Sequence, residues 1–509
     1  MKAVKEQKFR IPKQVSRITN SLKRAGFKAF LVGGCTRDLI LGKKPKDWDI
    51  TTNATPEETL AVFPNNSFYE NKYGTVGVKN EDLPVDESGI IDETLRIVEV
   101  TTFRKESTYT DGRRPDSVLF SKNIEEDLER RDFTINAIAI DIEPDQGDLY
   151  KGHIVDLYNG RGDLADKLIK TVGRPHDRFS EDALRIMRAV RLATELDFDI
   201  DKETIEGIRE NAHMLKNIAK ERIRDEFVKM IASQNPLRGL ILSQKLGILP
   251  YISKEFEVGI GVSQNKTHKY NVWEHLLKSL EHAAKKNFSL EVRLAALFHD
   301  IGKPKSRRWS ETKKDWTFHG HEVIGERITR SLMEDLRFPV KTTETVCKLV
   351  RWHMFFSDTE QISLSAVRRM VSNVGKENIS QLMDVRTCDR IGTGRPKENP
   401  YRLRKYRSLI EQVMTDPISV SMLKIKGSDI IRIANIEPSP KIGFILHALL
   451  EEVLDDPKRN TAEYLEKKVL ELAQLDENSL KKLGEKGKET SREAEEGKIK
   501  SIRKKYFVE

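Results

Sequence analysis

Short apolar runs broken by glycine-bearing turns mark the first third of the chain, and helical spacing of apolar positions marks the remainder. Ala29–Val32 is an unbroken apolar tetrad, the pattern of a buried strand, and Gly33-Gly34 then turns the chain sharply. Thr36–Leu41 reads as a short helix stopped by Gly42, and Trp48–Thr51 as a second strand. Further strands are expected at Tyr73–Val78 and Leu95–Phe103, the latter with Ile97, Glu99 and Thr101 on one face. The segment Leu128–Ala137 enters the apolar run Ile138–Ile140 and reads as largely buried. Downstream, Arg178–Ala189 predicts a helix with Ser180 as N-cap and Glu181 and Asp182 in its first turn. Amphipathic helices are expected around His275, His299, His321 and His353, and again at Leu449–Leu454 and Asn460–Leu472.

Chemistry concentrates first at the glycine turn. Asp47 and Asp49 alternate along the second strand and project from the same edge. Two carboxylates that close stay ionised together only with a cation between them. A pair of Mg²⁺ ions held there would clamp an in-line phosphoryl displacement. Gly33 and Gly34 let backbone N–H groups approach a triphosphate with no side chain in the way. Glu99 is a candidate third metal-facing acid, the alternative being an edge-strand glutamate in solvent. Arg104-Lys105-Glu106 and Tyr109–Asp116, with their glycine, proline and charges, read as a loop able to act as a lever or lid. Arg131, Asp132 and Asn136 are polar groups in a buried segment and need partners. A nucleotide supplies them, phosphate for Arg131 and sugar oxygens for Asp132 and Asn136; intramolecular capping is the alternative.

On the helix beyond, Asp182 and Arg185 are neighbours at i,i+3, and Glu181 and Arg185 at i,i+4. A carboxylate accepts from an exocyclic amine while a guanidinium donates to ring acceptors, so one Asp/Arg pair admits cytosine and adenine. Guanine and uracil would leave both groups mispaired. A plain surface salt bridge is the competing reading.

Composition narrows the partners. Lys and Arg outnumber Asp and Glu 89 to 80 over 509 residues, a net +9 that suits a nucleic-acid partner without requiring one. No apolar run reaches the roughly 18 residues of a membrane-crossing helix. The basic N-terminus MKAVKEQKFRIPKQ lacks the apolar core of a secretory signal. Cys35, Cys347 and Cys388 show neither metal nor disulfide spacing, so a cytoplasmic location is expected.

The strings GG-x2-RD-x8-D-x-D, RRDFTINA and RFSEDALRIMRA, in this order, resemble the class II tRNA nucleotidyltransferases, the CCA-adding enzymes that share their architecture with bacterial poly(A) polymerases. The resemblance covers roughly residues 8–250. It implies an α+β fold, with a polymerase beta-like head of mixed sheet and helices followed by all-α regions. It places metal binding and catalysis on Asp47 and Asp49, beside which Glu99 is the candidate third acid read from the strand pattern. Nucleotide binding falls to Gly33, Gly34, Arg37, Arg131, Asp132, Asn136, Glu181, Asp182, Arg185 and Arg188. The implied cofactor is Mg²⁺, and the implied partners are a tRNA 3′ end, CTP and ATP, with no membrane and no obligatory protein partner. Lys220–Phe227 resembles the helical motif that braces the neck in this family. A poly(A) polymerase or an enzyme adding only A or only CC shares all these motifs.

A second constellation follows: His275, His299-Asp300, His319, His321, His353 and Asp389, in the order H…HD…H…H…D. Imidazoles and carboxylates spread this way suit a divalent transition metal. The pattern resembles the HD superfamily of metal-dependent phosphohydrolases. The resemblance implies a basic ligand set of His275, His299, Asp300 and Asp389. His321 and His353 add a second position, and His319 is a weaker candidate. A reading in which this region carries the main activity and the first domain only binds RNA stays open. The expected organisation is a head over 1–160, a neck over 161–250, an HD region over 251–395, a helical RNA-binding tail over 396–475 and a charged helical or disordered tail over 476–509. Gly394–Arg407 is expected to link domains or helices.

Overall fold

The computed structural model describes residues 7–508 apart from 72–73, 86–88, 90, 107–117, 267, 355–362, 415–422, 456, 477–478, 484–496 and 498. The chain divides into two units, Met1–Cys347 and Lys348–Glu509. The first unit begins with an eight-stranded sheet: β1 (Gln7–Arg10), β2 (Ala29–Val32), β3 (Asp49–Thr52), β4 (Ser67–Asn71), β5 (Thr75–Lys79), β6 (Ile97–Thr102), β7 (Ile138–Pro144) and β8 (Leu149–Asp156). Their spatial order is β1-β8-β7-β2-β3-β6-β5-β4. The β3–β6 pair is parallel, and the other ladders are antiparallel. The expected mixed sheet is therefore present.

Strand β2 shows why its sequence lacks alternation. Ala29 and Leu31 enter a core with Val15, Leu22, Ile50, Val98 and Ile140, while Phe30 and Val32 enter another with Phe103, Leu128 and Ala139. Both faces of the strand are covered, so every position is apolar. Strand β6 lies between β3 and β5 and is not an edge, although the Glu99 side chain is solvent-exposed, as in the alternative reading.

Several boundaries differ from expectation. Arg104–Glu106 is a strand paired with Val118–Phe120, not loop; those two strands flank residues 107–117, so most of the expected lever lies outside the described residues. The helix expected over Arg178–Ala189 is two helices, Pro175–Glu181 and Leu184–Leu196. Asp182 is extended and its carboxylate accepts the Leu184 N–H at 3.0 Å, which starts the second helix. Ser180 thus sits in the last turn of the first helix and is not an N-cap. Leu184–Leu196 packs against Lys220–Ala232 and Pro236–Lys245. Val272–Lys285, begun by a capping box of Asn271 and Glu274, packs against Leu290–Phe298.

The second unit is helical. Leu364–Val374 packs against Tyr401–Met414, so the expected linker over Gly394–Arg407 ends at Pro400. Gly427–Ala434, Pro440–Asp455 and Ala462–Ala473 enclose a core of Leu423, Ile425, Ile430, Leu449, Leu465 and Val469. The helix expected at Leu449–Leu454 starts earlier, at Pro440, a residue whose fixed φ suits a first turn. Residues 499–505 of the charged tail are helical, and Lys505 pairs with Glu411 at 2.9 Å. Among the described residues no helix is long and apolar enough to cross a membrane.

One tight backbone approach makes a test of the head. A Cβ on Gly160 would overlap the Thr134 carbonyl oxygen and lie 2.8 Å from Ile138 Cγ1, and backbone cannot give way cheaply. Gly160→Ala is expected to destabilise the protein by about 1–3 kcal/mol, read as a lower urea or thermal midpoint. An unchanged midpoint would contradict this packing.

Candidate nucleotidyl-transfer and metal sites

Parallel pairing of β3 with β6 sets Asp49 directly opposite Glu99, and Asp47 precedes β3 on the same side. Lys46, Asp47, Asp49, Glu93, Arg96 and Glu99 line a pocket of about 270 Å³. Gly33, the residue after β2, has φ +80°, and a Cβ there would lie 3.1 Å from Asp49 Oδ2 and 3.5 Å from Arg131 Nη1. At Gly34 the corresponding Cβ would lie 3.4 Å from Asp47 Oδ1. The glycine pair is therefore a backbone floor beneath both carboxylates, in a conformation only Gly33 adopts without strain.

The carboxylates are electrostatically unsatisfied. Burial first, then Asp47 and Glu99, push the Asp49 pKa up to about 7, against the pull of Arg131. Glu99 is also raised, by burial and then by Glu70 and Asp47. Clustered acids raised in this way fit a divalent cation, whose charge would return them to the ionised form. Neighbouring Cys35 is no nucleophile, because burial and then Asp49 push its thiol up to about 12.

The arginines around this edge form a chain of ion pairs. Asp127 accepts from Arg131 Nη2 at 2.9 Å and from Arg130 Nη2 at 2.6 Å. Burial alone would raise its pKa, but Arg130 and Arg131 hold it at about 2. Asn136 accepts from Arg37 Nη1 at 3.0 Å and donates to Asp132 Oδ1 at 3.3 Å. Asp132 also accepts the Phe133 N–H and, through Oδ2, Arg188 Nη2 at 2.6 Å. Burial again opposes ionisation of Asp132, and Arg188 and Arg185 overcome it, keeping its pKa well below the carboxylate range. The expected partners of Asp132 and Asn136 are thus supplied within the protein.

On the neck, Glu181 pairs with Arg185 as the i,i+4 spacing predicts, and with Arg178 at 2.7 Å. Arg185 also donates from Nη2 to the Arg130 carbonyl at 3.1 Å. Asp182 is instead gripped by both amino groups of Arg222, at 2.7 and 3.3 Å. Each member of the expected base-reading pair therefore rests on its own counter-ion, Glu181 for Arg185 and Arg222 for Asp182. Sequence reasoning missed Arg222 and Asp127; the only signal was that Arg222 lies in the brace motif and Asp127 four residues before Arg131.

Four members of the second constellation, His275, His299, Asp300 and His321, converge within the first unit. His275 Nε2 is 2.9 Å from His299 Nε2 and 2.9 Å from Asp300 Oδ2, while His299 Nε2 and His321 Nε2 lie 3.3 and 3.2 Å from Asp300 oxygens. The Nδ1 atoms of His299 and His321 sit 2.9 and 2.7 Å from the Ala296 and Phe318 carbonyls. A hydrogen on each Nδ1 leaves the Nε2 lone pairs facing Asp300, as in metal-ligating histidines. Buried Lys303 reaches Asp300 Oδ2 and Gln264 Oε1, each at 2.6 Å. Burial would raise the Asp300 pKa, but Lys303 and His299 hold it well below the usual range. The donor set of imidazoles and a carboxylate fits a divalent metal. His319 is exposed, which sets that candidate aside. His353 and Asp389 belong to the second unit and are buried there, His353 with Nδ1 2.7 Å from the Val350 carbonyl and Asp389 paired with Arg386.

Residues 29–170 match the family model of the Poly A polymerase head domain, residues 197–259 that of the probable RNA and SrmB-binding site of polymerase A, and residues 270–393 that of the HD domain. Residues 29–259 are thus similar to the head and RNA-binding regions of poly(A) polymerases, and residues 270–393 to HD domains. In particular, the chain is similar to the CCA-adding enzymes. That of Limosilactobacillus reuteri (strain DSM 20016) is 45% identical over 223 residues, 44% of this chain and 50% of the relative. That of Enterococcus faecalis (strain ATCC 700802 / V583) is 42% identical over 250 residues, 49% of this chain and 56% of the relative. The chain spans about half the length of the curated relatives it matches. The crystal structure of the Bacillus stearothermophilus CCA-adding enzyme in complex with CTP aligns with a TM-score of 0.58 and 26% identity over 91% of this chain and 98% of that one.

The raised Asp49 pKa predicts a pH-dependent stability. A buried acid whose pKa climbs from 3.8 to about 7 favours folding while neutral, and that contribution is lost as pH rises from about 4 through 7. In metal-free protein, Asp49→Asn is therefore expected to raise the thermal midpoint above wild type at pH 8.5, with the gap closing toward pH 4. Equal midpoints at pH 8.5 would refute the crowding of acids.

Proposed function

We propose that this chain is a template-independent nucleotidyltransferase that adds CCA to tRNA 3′ ends from CTP and ATP. The observation that carries this is the carboxylate set Asp47, Asp49 and Glu99 on the glycine floor, facing Arg131, within the stretch most similar to CCA-adding enzymes. Asp47 and Asp49, with Glu99 beside them, would hold Mg²⁺. When bound, the metal supplies charge neutralisation on the triphosphate and lowers the pKa of the primer hydroxyl. Gly33 and Gly34 present backbone to the triphosphate, and Arg131 stabilises charge on the phosphates. Arg37 is oriented by Asn136. Asp182 and Arg185 read the Watson–Crick edge of the incoming base, with Glu181 and Arg222 holding them in place; Arg188 with Asp132 ties the neck helix to the head. The basic excess of the chain suits the phosphate backbone of tRNA, and the reading places the protein in the cytoplasm, where three unpaired thiols are stable.

The HD cluster supports a second activity, metal-dependent phosphohydrolysis. His275, His299, Asp300 and His321, already converged, would hold the metal in this reading. The HD family model spans all four residues.

Incubating tRNA that lacks CCA with each nucleotide separates the alternatives. Termination after C, C and A is expected; a long adenosine ladder would indicate a poly(A) polymerase, and stopping at CC or adding one A a partial enzyme. Asp47→Ala with Asp49→Ala is expected to abolish CTP and ATP incorporation, and survival of incorporation would end the polymerase reading. Replacing His299 and Asp300 by Ala is expected to remove phosphoester hydrolysis and leave CCA addition intact. If both activities fell together, the two centres would not be separate.

A further inference from the structure

The nucleotidyl-transfer edge contains a buried acid that neither the motif nor the metal chemistry uses. Asp127, in the helix Ile124–Glu129, is 0% exposed and cannot touch a substrate. Its Oδ2 accepts from Arg131 Nη2 at 2.9 Å and from the Thr51 hydroxyl at 3.3 Å; its Oδ1 accepts from Arg130 Nη2 and Nε at 2.6 and 3.0 Å. Thr51 stands two residues beyond Asp49 on β3. One carboxylate thus fastens the strand that carries the metal-binding acid to the guanidinium that faces it. Arg130 in turn offers its carbonyl to Arg185 at 3.1 Å, extending the connection to the base-reading helix.

The rest of Arg131 stays available. Its Nη1 would lie 3.5 Å from a Cβ placed on Gly33, so the guanidinium faces the glycine floor. Asp127 neutralises one of the two arginines it holds, so the group keeps a net positive charge beside the glycine floor.

We propose that Asp127 is a positioning residue that fixes Arg131 against the metal-binding carboxylates, so that the guanidinium meets the phosphates of the incoming nucleotide at one set distance. The inference rests on the nucleotidyltransferase reading. A misplacement near 1 Å at such a group costs on the order of 10²-fold in rate. The competing explanation is a buried ion pair that only stabilises the fold.

A double-mutant cycle decides between them. Full-length wild type, Asp127→Asn, Arg131→Ala and the double variant are compared for kcat and KM in CTP incorporation, for KM of tRNA, and for the thermal shift produced by CTP with Mg²⁺. Asp127→Asn is expected to lower kcat about 10²-fold with the tRNA KM unchanged. On the Arg131→Ala background it is expected to cost nothing further. Wild-type kinetics in Asp127→Asn, or the same loss in both backgrounds, would overturn the proposal. Should Asp127→Asn not fold, Asp127→Glu keeps the charge and displaces it by one methylene; a kcat loss that vanishes with Arg131→Ala is again expected, and an unchanged kcat overturns the proposal. If wild type itself incorporates no CTP, the activity reading fails. The CTP-dependent thermal shift then still judges this inference: a shift reduced by Asp127→Asn supports it, and an equal shift overturns it.

Discussion

Mutual repulsion among Asp47, Asp49 and Glu99 is the constraint around which the head is arranged. Left alone, acids on neighbouring strands would part or take up protons, and burial together with Asp47 and Glu99 pushes the Asp49 pKa up to about 7. The fold holds them together by putting their strands inside the sheet, with β6 clasped between β3 and β5. It also sets arginine opposite acid, with Arg131 drawn toward Asp49 yet tethered to Asp127. That balance sets negative and positive charge side by side at one edge of the sheet.

The neck continues the same alternation of charge. Asp132 with Arg188, Glu181 with Arg185 and Arg178, and Asp182 with Arg222 are buried or half-buried pairs. Buried pairs of this kind add little net stability compared with apolar packing, but they penalise any geometry that separates the partners. Their value here is orientation. A guanidinium fixed by a carboxylate presents its remaining N–H groups in one direction.

Local motifs made the centre of both sites legible. Gly33-Gly34 with Asp47 and Asp49 sit within a short span on one sheet edge, and His275 and His299-Asp300 lie on the successive packed helices Val272–Lys285 and Leu290–Phe298 or just beyond. What the sequence hid was pairing over distance. Arg222 meets Asp182 across 40 residues, and no local pattern announces it. The break at Asp182 was misread because Ser180 and the two acids make a good helix start; the structure uses the Asp182 side chain for that purpose instead. Lys303 was visible in the HD segment but not its contact with Asp300, since a buried lysine reads as an exposed one until its counter-ion is known. The strand Arg104–Glu106 was masked by its charges, because a short outlying ladder needs no apolar alternation.

The parallel pairing of β3 with β6 also sets the order in which the protein comes into being. Asp49 and Glu99 stand side by side but are separated by a crossover of a helix and an antiparallel pair of strands, and each ladder bond between them closes a loop of 50 residues. The entropy of closing such a loop is smaller once the intervening β4–β5 hairpin has formed. A nascent chain leaving the ribosome therefore carries Asp47 and Asp49 long before it owns their neighbour, and Arg131 and Asp127 follow only after β6 has emerged. Until then the emerging segment lacks the neighbours that complete this edge of the sheet. The site comes into existence with the closing of the sheet.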